Sequence, residues 1–266
     1  MSAAGSAGRR KLTAERPNRG TDFAYDEARH LAAYLHARTL AAGCDVLDAG
    51  CGEGFGTVLL AETAHAVLGI DYAAEPVAIA NAAYGRPGLE FRQLDVHQAA
   101  ALGRRFDLVT NFQVVEHLPD PVPFVRALRD VLAPSGRLML TTPNRLTSVS
   151  ENPVHLREYT ADELRSLLQP IFGEVRMSSV LGNERVRAFD AERGRQVRRL
   201  LRLDPLGLRR LLPERLVYFA FAQLSAVVRR RVVSAVSEAT QIRPDDFTVV
   251  DETRPDALDL VAICRP

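Results

Sequence analysis

Cysteine is scarce in this sequence, and its three cysteines are widely spaced. Cys44, Cys51 and Cys264 are the only ones among 266 residues. So small and scattered a set argues against a disulfide framework and against a paired-cysteine zinc site. Because a chain without disulfides suits a reducing compartment, we expect a cytoplasmic protein.

Long apolar runs and an excess of one charge are lacking as well. No run of about 18 or more apolar residues is present, which argues against a membrane-spanning helix. Residues 1–20 contain no apolar stretch of the kind that a secretory signal requires, and we expect them to form a flexible tail. A formal net charge of +1 supplies no global field that would attract a nucleic acid. Apolar residues at 47% and charged residues at 25% are typical of a globular protein.

Short apolar segments alternate with helical segments after Gly43, which is typical of a parallel sheet with crossover helices. Helices are predicted near 56–64, 75–84 and 121–132. Right-handed crossovers place helices on both faces of such a sheet and bring the carboxyl ends of its strands to one edge, where ligands bind. The segments predicted as strands are 44–49, 66–71, 89–95, 106–112 and 136–142.

The later part of the chain adds one helix and two strands. Thr160 followed by Asp162 and Glu163 is a helix-start pattern, and the predicted helix ends near Leu168. The sixth and seventh strands are predicted at 174–181 and 258–264, separated by about 75 residues. A hairpin connection needs only a few residues, so the intervening stretch is an insertion.

These elements predict an α/β fold with a doubly wound, mostly parallel sheet of seven strands and a helical insertion before the last strand. The ligand-binding domain is predicted to comprise residues 21–181 together with 246–266, and the arginine-rich insertion to comprise 182–245. The stretch 21–40 is predicted to be a helix that covers the ligand site. Within it Tyr25 and His30 are candidates for lining the pocket, although roles in the core or at the surface are the stronger alternative.

The strongest motif is VLDAGCGEGFGT at residues 46–57, where an apolar strand enters a turn before a helix. Glycine stands at alternate positions of this turn, which removes side chains and lets a ligand approach the backbone. The spacing does not fit a dinucleotide-binding glycine motif, because Phe55 and Thr57 stand where a third glycine is needed, and no P-loop lysine is present.

Acidic residues follow the next two predicted strands. Asp71 lies 21 residues after Gly50, where a carboxylate can accept hydrogen bonds from ribose hydroxyls. Asp95 and Val96 follow the third strand and suit an adenine amino group and ring. Either acid by itself is more often a turn or helix cap than a ligand. Their order along one sheet edge, together with Asp48, favours a nucleoside-type ligand.

Residues 44–143 resemble the class I S-adenosylmethionine methyltransferases, particularly the small-molecule branch that includes ubiquinone-pathway and glycan O-methyltransferases. The resemblance rests on Asp48 and the Gly50–Cys51–Gly52–Glu53–Gly54 turn, on Asp71, on the segment from Val114 to Pro121 (VVEHLPDP) and on 131–144. It implies the Rossmann-like methyltransferase fold and S-adenosylmethionine as the cofactor. The implied cofactor-binding residues are Asp48, Gly50, Cys51, Gly52, Gly54, Asp71, Tyr72, Asp95, Val96 and Asn111.

The resemblance also implies a role for each part of this site. Asp48 and the glycine turn would hold the methionine end of the cofactor, Asp71 the ribose, and Asp95 with Val96 the adenine. Asn111 and Phe112 would line the floor. Cys51 is interpreted as a small loop residue, because methyl transfer needs no thiol intermediate.

Two histidines are candidates for the base that removes a proton from a hydroxylated acceptor. His117 follows Glu116 after the fourth strand, with capping of the loop before Pro121 as the alternative role. His155 lies in NPVHLREYT (152–160), a segment similar to one found in relatives that act on sugars, quinols and other metabolites. Its alternative is an ordinary loop histidine. Next to it, Arg157, Glu158 and Tyr159 either orient the acceptor or include a surface ion pair.

Gln113 is a departure from the ubiquinone-pathway enzymes, which carry an acidic residue at this position in support of a divalent metal. The sequence therefore predicts that no metal is required. The Asp/Asn-Pro-Pro-aromatic motif of amino-directed DNA methyltransferases is also missing, because this chain has Phe112, Gln113 and Val114 after Asn111. The Pro-Cys pair of cytosine-C5 DNA methyltransferases is missing too. We expect no nucleic-acid substrate.

The insertion holds eleven arginines between 193 and 231, opposed only by Asp204 and Glu214. Three interpretations remain open for it: an amphipathic lid over the acceptor, an interfacial helix that contacts anionic lipid and a lipid-linked acceptor, and a clamp for phosphate or an anionic sugar.

The function predicted from all of this is O-methylation of a small hydroxylated metabolite, with a saccharide first and a quinol or phenol next. The alternatives are N-methylation of a small amine and a non-catalytic interaction module built on the cofactor fold.

Overall fold

A computed structural model describes residues 24–148, 155–201 and 242–266 of the chain. The predicted tail at 1–20, the segment 149–154 and the greater part of the predicted insertion, 202–241, lie outside the described residues. The side chains of 197–201 lie outside them as well.

The described elements follow the predicted alternation closely. The helices are α1 (Ala24–Leu40), α2 (Thr57–Leu60), α3 (Ala74–Tyr84), α4 (Pro121–Asp130), α5 (Ala161–Leu168) and α6 (Glu184–Leu201). The strands are β1 (Asp45–Ala49), β2 (Ala66–Asp71), β3 (Leu89–Gln93), β4 (Phe106–Phe112), β5 (Leu132–Pro143), β6 (Glu174–Gly182), β7 (Phe247–Val250) and β8 (Asp259–Arg265). A 3-10 helix at Val96–Leu102, which the sequence analysis did not predict, follows β3.

The strands form one sheet in the order β3-β2-β1-β4-β5-β8-β6-β7. Neighbours from β3 to β5 pair in parallel, whereas β8 is antiparallel to both β5 and β6, and β7 is antiparallel to β6. The doubly wound, mostly parallel sheet is confirmed, but the number of seven strands was wrong. The strand that the sequence analysis did not predict is β7, which has only four residues and pairs with the edge of β6. Its formation depends on that edge, so no local sequence pattern reveals it.

The sheet is apolar on both faces because helices cover each of them. One hydrophobic layer contains side chains of α1 with Phe91, Phe112 and Phe189, and the other contains side chains of α4 and α5 with Phe106. Strands buried on both faces read as nearly continuous apolar runs, as in β1 and β4. The order of the chain reverses between β1 and β4, and this reversal places the ligand crevice at their carboxyl ends.

The amino-terminal helix α1 is joined to α6 through one aromatic cluster. The Tyr25 ring stacks on Phe189 with centroids 4.6 Å apart and meets the edge of Phe247 at 5.7 Å. Its hydroxyl donates to Asp190 at 2.7 Å. Tyr25 is therefore a core residue, which was part of the stronger alternative for it. The predicted helical insertion begins with α6. No helix in the described part of the chain combines the length and apolar character needed to cross a bilayer.

Helix α5 begins with the predicted pattern and carries a complete capping box. The Thr160 hydroxyl accepts from the backbone N–H of Glu163 at 3.3 Å, and the Glu163 carboxylate accepts from the backbone N–H of Thr160 at 2.8 Å. Two backbone donors at the helix start are thereby satisfied reciprocally. The box also anchors the segment 155–160, which precedes the helix.

We predict that Thr160→Ala lowers the free energy of unfolding by about 1 kcal/mol, because the N-cap acceptor is lost. Urea unfolding followed by far-UV circular dichroism measures this. The matched control is Thr39→Ala, since the exposed Thr39 hydroxyl donates only to the His36 carbonyl within its own helix. Equal unfolding free energies for the two variants would contradict the assigned capping role.

Candidate functional site

A turn of almost bare backbone connects β1 to α2. Gly50, Gly52 and Gly54 have φ values of 87°, 53° and 79°, a region that L side chains rarely adopt. A Cβ on Gly50 would also lie 2.6 Å from the Val114 side chain, so Gly50 has no room for one. The backbone N–H groups of Gly50 and Cys51 both donate to the Ile70 carbonyl, at 2.8 and 3.0 Å. These bonds tie the predicted turn to the tip of β2.

Asp48 is fully buried at the end of β1, directly before this turn. Its carboxylate accepts three hydrogen bonds from hydroxyls: Tyr34 at 3.0 Å, Thr57 at 2.6 Å and Thr110 at 2.8 Å. Burial raises the pKa of Asp48 to about 6, although the three donors oppose that shift. Asp48 thus joins α1, α2 and β4 beneath the turn, and its predicted direct contact with the cofactor stays a prediction.

Asp71 spans from the tip of β2 to the glycine turn. One carboxylate oxygen accepts from the backbone N–H of Gly52 at 3.1 Å, and the other accepts from that of Ala73 at 2.9 Å. The structure therefore brings Asp71 and the turn together, as predicted. The adjacent Tyr72 ring is 79% exposed, so a flat ligand bound above Asp71 could stack on it.

Asp95 caps the 3-10 helix that follows β3. It accepts from the backbone N–H of His97 at 2.9 Å and lies 2.8 Å from the His97 Nδ1. The neighbouring Val96 is buried. The cap that was weighed as the alternative is present, while the predicted contact of Asp95 and Val96 with adenine stays a prediction.

Asn111 and Phe112 lie at the end of β4, beneath the glycine turn. The Asn111 amide donates to the Ala49 carbonyl at 2.7 Å, whereas its Oδ1 is buried without a hydrogen-bond partner in the described part of the chain. The Phe112 ring meets the edge of Tyr34 at 4.7 Å. Asn111 thus keeps an unused hydrogen-bond acceptor at this position, and the predicted role of both residues as the floor of the cofactor site stays a prediction.

Cys51 is buried inside the turn. Burial raises the pKa of its thiol far above the ordinary range, and the nearby Asp48 and Asp71 carboxylates raise it further. The thiol stays protonated at neutral pH and is a poor nucleophile. All three cysteines of the chain are free thiols.

A second group of chemically active side chains meets after the end of β4. Glu116, His117 and His155 each present one oxygen or nitrogen within 4.8 Å of the others. The two imidazole rings are 5.1 Å apart, centroid to centroid. The structure thus brings together the two histidines that the sequence analysis treated separately, and adds Glu116 to them.

Glu116 is the fully buried member of this cluster. The Thr142 hydroxyl donates to its Oε2 at 3.0 Å, and its Oε1 has no hydrogen-bond partner within the described ranges. Burial raises the pKa of this carboxyl to about 7. The Glu116 carbonyl accepts from the backbone N–H groups of Leu156 and Arg157, at 2.9 and 3.1 Å. These two bonds dock the segment 155–160 and bring His155 to the cluster.

The residues beside His155 have separate partners. Glu158 lies 2.7 Å from the His155 Nδ1 and also accepts from the Ser148 hydroxyl at 3.0 Å. Arg157 is 3.9 Å from Glu163 and stacks over the Tyr159 ring at 5.1 Å. Glu158 therefore orients His155, while Tyr159 is buried with a hydroxyl that has no partner among the described residues.

Helix α1 contributes a polar group to the same sheet edge. Arg29 pairs with Asp259, and the Gln113 amide donates to the same Asp259 carboxylate at 3.1 Å. Gln113 adopts a φ of 57°, the one positive value among described non-glycine residues. His30 packs against Phe55 of the glycine turn at 5.6 Å between centroids, and burial lowers its pKa to about 4.

Sequence reasoning missed the hydroxyl groups that hold the two carboxylates. Tyr34, Thr57 and Thr110 hold Asp48, and Thr142 holds Glu116. A signal existed for Thr142, which lies in the 131–144 segment of the family resemblance. No signal existed for Tyr34, because nothing in the helical pattern of 21–40 distinguishes it from another core residue.

Comparisons with known proteins identify methyltransferases as relatives of this chain, and the matched region includes the glycine turn. A family model described as a methyltransferase domain matches residues 47–140. A Mycobacterium tuberculosis protein named "Probable S-adenosylmethionine-dependent methyltransferase" is 39% identical over 190 residues, which is 69% of each chain. A Mycolicibacterium smegmatis protein described in the same words is 33% identical, covering 96% of this chain and 95% of the relative.

Two further likenesses are partial or structural. A ubiquinone biosynthesis O-methyltransferase of Pseudomonas paraeruginosa is 35% identical over 115 residues, covering 42% of this chain and 50% of the relative. The crystal structure of a SAM-dependent methyltransferase from Archaeoglobus fulgidus superposes with a TM-score of 0.54 at 17% identity, covering 90% and 94% of the two chains. At this identity the likeness concerns the fold.

We predict that Asp48 makes the ligand-free protein more stable as the pH falls from 7 to 5. The folded-state pKa of about 6 lies above the unfolded value of 3.8, so the folded chain binds the proton more tightly in this window. Relative to Asp48→Asn, which cannot titrate, the wild type should gain about 1 kcal/mol of unfolding free energy between pH 7 and pH 5.

Urea unfolding of both proteins at pH 5, 6 and 7 measures this difference. Titration of other groups, including His30, is common to the two proteins and cancels. A difference that stays constant with pH, or that moves in the opposite direction, would show that the folded-state pKa of Asp48 is not raised.

Proposed function

The chain belongs to the class I S-adenosylmethionine-dependent methyltransferases, and from that premise we propose that it transfers the methyl group to a hydroxyl oxygen of a small acceptor. S-adenosylmethionine is its cofactor. A saccharide is the first choice of acceptor, followed by a quinol or phenol. The observation that carries this proposal is the cluster of Glu116, His117 and His155 at the end of β4.

The cofactor is proposed to lie across the tips of β1, β2 and β3. The glycine turn leaves backbone for the methionine end, Asp71 faces the ribose beside Gly52, and the exposed Tyr72 ring lies beside it for the adenosine. Val96 and Asp95 form the far wall for the adenine. The unused Asn111 Oδ1 supplies a hydrogen-bond acceptor at the floor of this site.

The proposed reaction is a displacement at the activated methyl carbon. The acceptor oxygen forms a bond to that carbon while the carbon–sulfur bond breaks, and the electron pair of the broken bond stays on sulfur. The acceptor hydroxyl loses its proton as attack proceeds. Alignment of the two reactants contributes up to about 7–11 kcal/mol, and removal of the proton contributes about 10²–10⁴-fold in rate.

Oxygen is favoured over nitrogen as the methyl acceptor because of the side chains that form the cluster. A hydroxyl needs assistance to lose its proton, and two imidazoles with a buried carboxylate provide it, whereas a neutral amine attacks without it. The partial likeness to a ubiquinone biosynthesis O-methyltransferase supports the same assignment. The preference for a saccharide rests on the resemblance of the segment 152–160 to one found in relatives that act on sugars, quinols and other metabolites.

We predict that the purified chain binds S-adenosylmethionine and S-adenosylhomocysteine, and that Asp71→Ala weakens both affinities by about 10–100-fold. Loss of a charge-assisted hydrogen bond has this magnitude. Isothermal titration calorimetry measures the affinities. Asp130→Ala is the matched control, because this exposed acid lies at the end of α4 and pairs only with Arg129. Absence of any binding to the wild type would overturn the proposed cofactor site.

We predict that His117→Gln and His155→Gln each lower turnover by about 10²–10⁴-fold while S-adenosylmethionine binds with unchanged affinity. A radiolabelled-methyl assay against panels of sugars, quinols, phenols and amines identifies the acceptor used for this measurement. His65→Gln is the control, since this histidine is 75% exposed on the far end of β2 and pairs with Asp45. Transfer to amines alone would contradict the assignment to oxygen.

A further inference from the structure

We propose that Glu116, His117 and His155 form a binding site for one divalent transition-metal ion at the acceptor edge of the sheet. Metal binding itself does not depend on the acceptor, but its chemical consequence rests on the proposed O-methylation. The sequence analysis predicted no metal because Gln113 replaces an acidic residue. The structure offers a different third side chain, His155, which arrives from a segment about 40 residues further along the chain.

The three side chains already converge. One carboxylate oxygen and one nitrogen from each imidazole lie within 4.8 Å of one another. Ligands of a single ion at about 2.0–2.2 Å are at most about 4.4 Å apart, so small rotations of the side chains complete the geometry. Among the described residues this is the one group of three such side chains that meets this distance. A carboxylate with two imidazoles is a known ligand set for zinc and iron.

Glu116 supplies an anionic oxygen that the protein leaves unused. The residue has no exposed surface, and Thr142 holds its Oε2, yet Oε1 has no hydrogen-bond partner within the described ranges. Buried carboxylate oxygens normally have a partner, because the interior compensates poorly for lost water. A cation beside Oε1 would supply that partner.

His155 has the outer contact that is typical of a metal ligand. Its Nδ1 lies 2.7 Å from Glu158, and both side chains are nearly buried, at 12% and 13% exposure. Such a carboxylate would fix the tautomer with the proton on Nδ1, so that Nε2 would be the ligand atom for the ion. The same pairing occurs at His65 with Asp45 and at His97 with Asp95, but those imidazoles are 75% and 49% exposed. They serve as comparison sites within the same chain.

The donor set favours a first-row transition metal over magnesium, because two of the three ligands are imidazoles. Gln113 has no carboxylate to offer, and its amide nitrogen donates to Asp259 and Thr141, so it is not among the proposed ligands. A divalent ion held here would act as a Lewis acid that lowers the pKa of an acceptor hydroxyl. The histidines would then act as ligands that position the ion.

The test uses the full chain after removal of metal with a chelator and dialysis. Co²⁺ is titrated as the probe, with the visible absorption of the bound ion as the signal, and Zn²⁺ competes for the same site in a second titration. We expect one ion per chain. Glu116→Gln, His117→Gln and His155→Gln should each weaken binding at least about 100-fold, and Glu158→Gln by about 10–100-fold through its effect on His155.

His65→Gln and His97→Gln are the matched controls and should leave the Co²⁺ affinity and spectrum unchanged. Far-UV circular dichroism and the thermal midpoint establish that each variant is folded. His155→Gln is the decisive variant if Glu116→Gln does not fold, because His155 is less buried than Glu116 and is followed by the exposed Leu156 and Arg157. The proposal is overturned if wild type and His155→Gln bind Co²⁺ equally, or if only the two control variants lose binding.

Failure of this inference is distinguishable from failure of the proposed function. Full transfer of methyl groups to a hydroxylated acceptor by metal-free protein would reject the metal site and leave O-methylation in place. Stoichiometric Co²⁺ binding that depends on His155, together with transfer to amines only, would establish the metal site and reject the oxygen assignment.

Discussion

The buried carboxylate of Asp48 is the constraint on which the ligand crevice depends. Hydroxyls from α1, α2 and β4 all converge on it, at the point where β1 ends. Because a buried carboxylate needs donors, these elements are held in one arrangement, and the glycine turn directly after Asp48 takes its position from them. Asp71 then fastens the other side of the turn through the Gly52 N–H. Hydrogen bonds within the protein thus hold the glycine turn on both of its sides.

Much of the fold and of the cofactor side could be predicted from the sequence, because its signals are local. An apolar run before a glycine turn reveals β1, and the spacing to Asp71 reveals the next strand tip. The capping pattern at Thr160 predicted the start of α5 to within one residue. These features lie within a few residues of one another, so the chain itself displays the geometry that the structure then contains.

The cluster of Glu116, His117 and His155 could be predicted only in part, because its geometry arises from contacts between distant segments. The sequence shows His117 and His155 as separate candidates, and only the docking of Leu156 and Arg157 on the Glu116 carbonyl brings their rings together. Tyr34 likewise reaches Asp48 through the packing of α1, and β7 exists because β6 presents an open edge. In each case tertiary structure decides which residue or strand becomes the partner, and a periodic sequence pattern carries no information about it.

The aromatic cluster of Tyr25, Phe189 and Phe247 has a consequence for the design of chimeric enzymes. It makes the amino-terminal helix and the start of the insertion a single packed unit, in which the half-buried Asp190 accepts from the Tyr25 hydroxyl. If α1 were replaced by a helix without a tyrosine at position 25, Asp190 of α6 would lose this hydrogen-bond donor. Recombination breakpoints in this family fold should therefore keep both segments from the same parent.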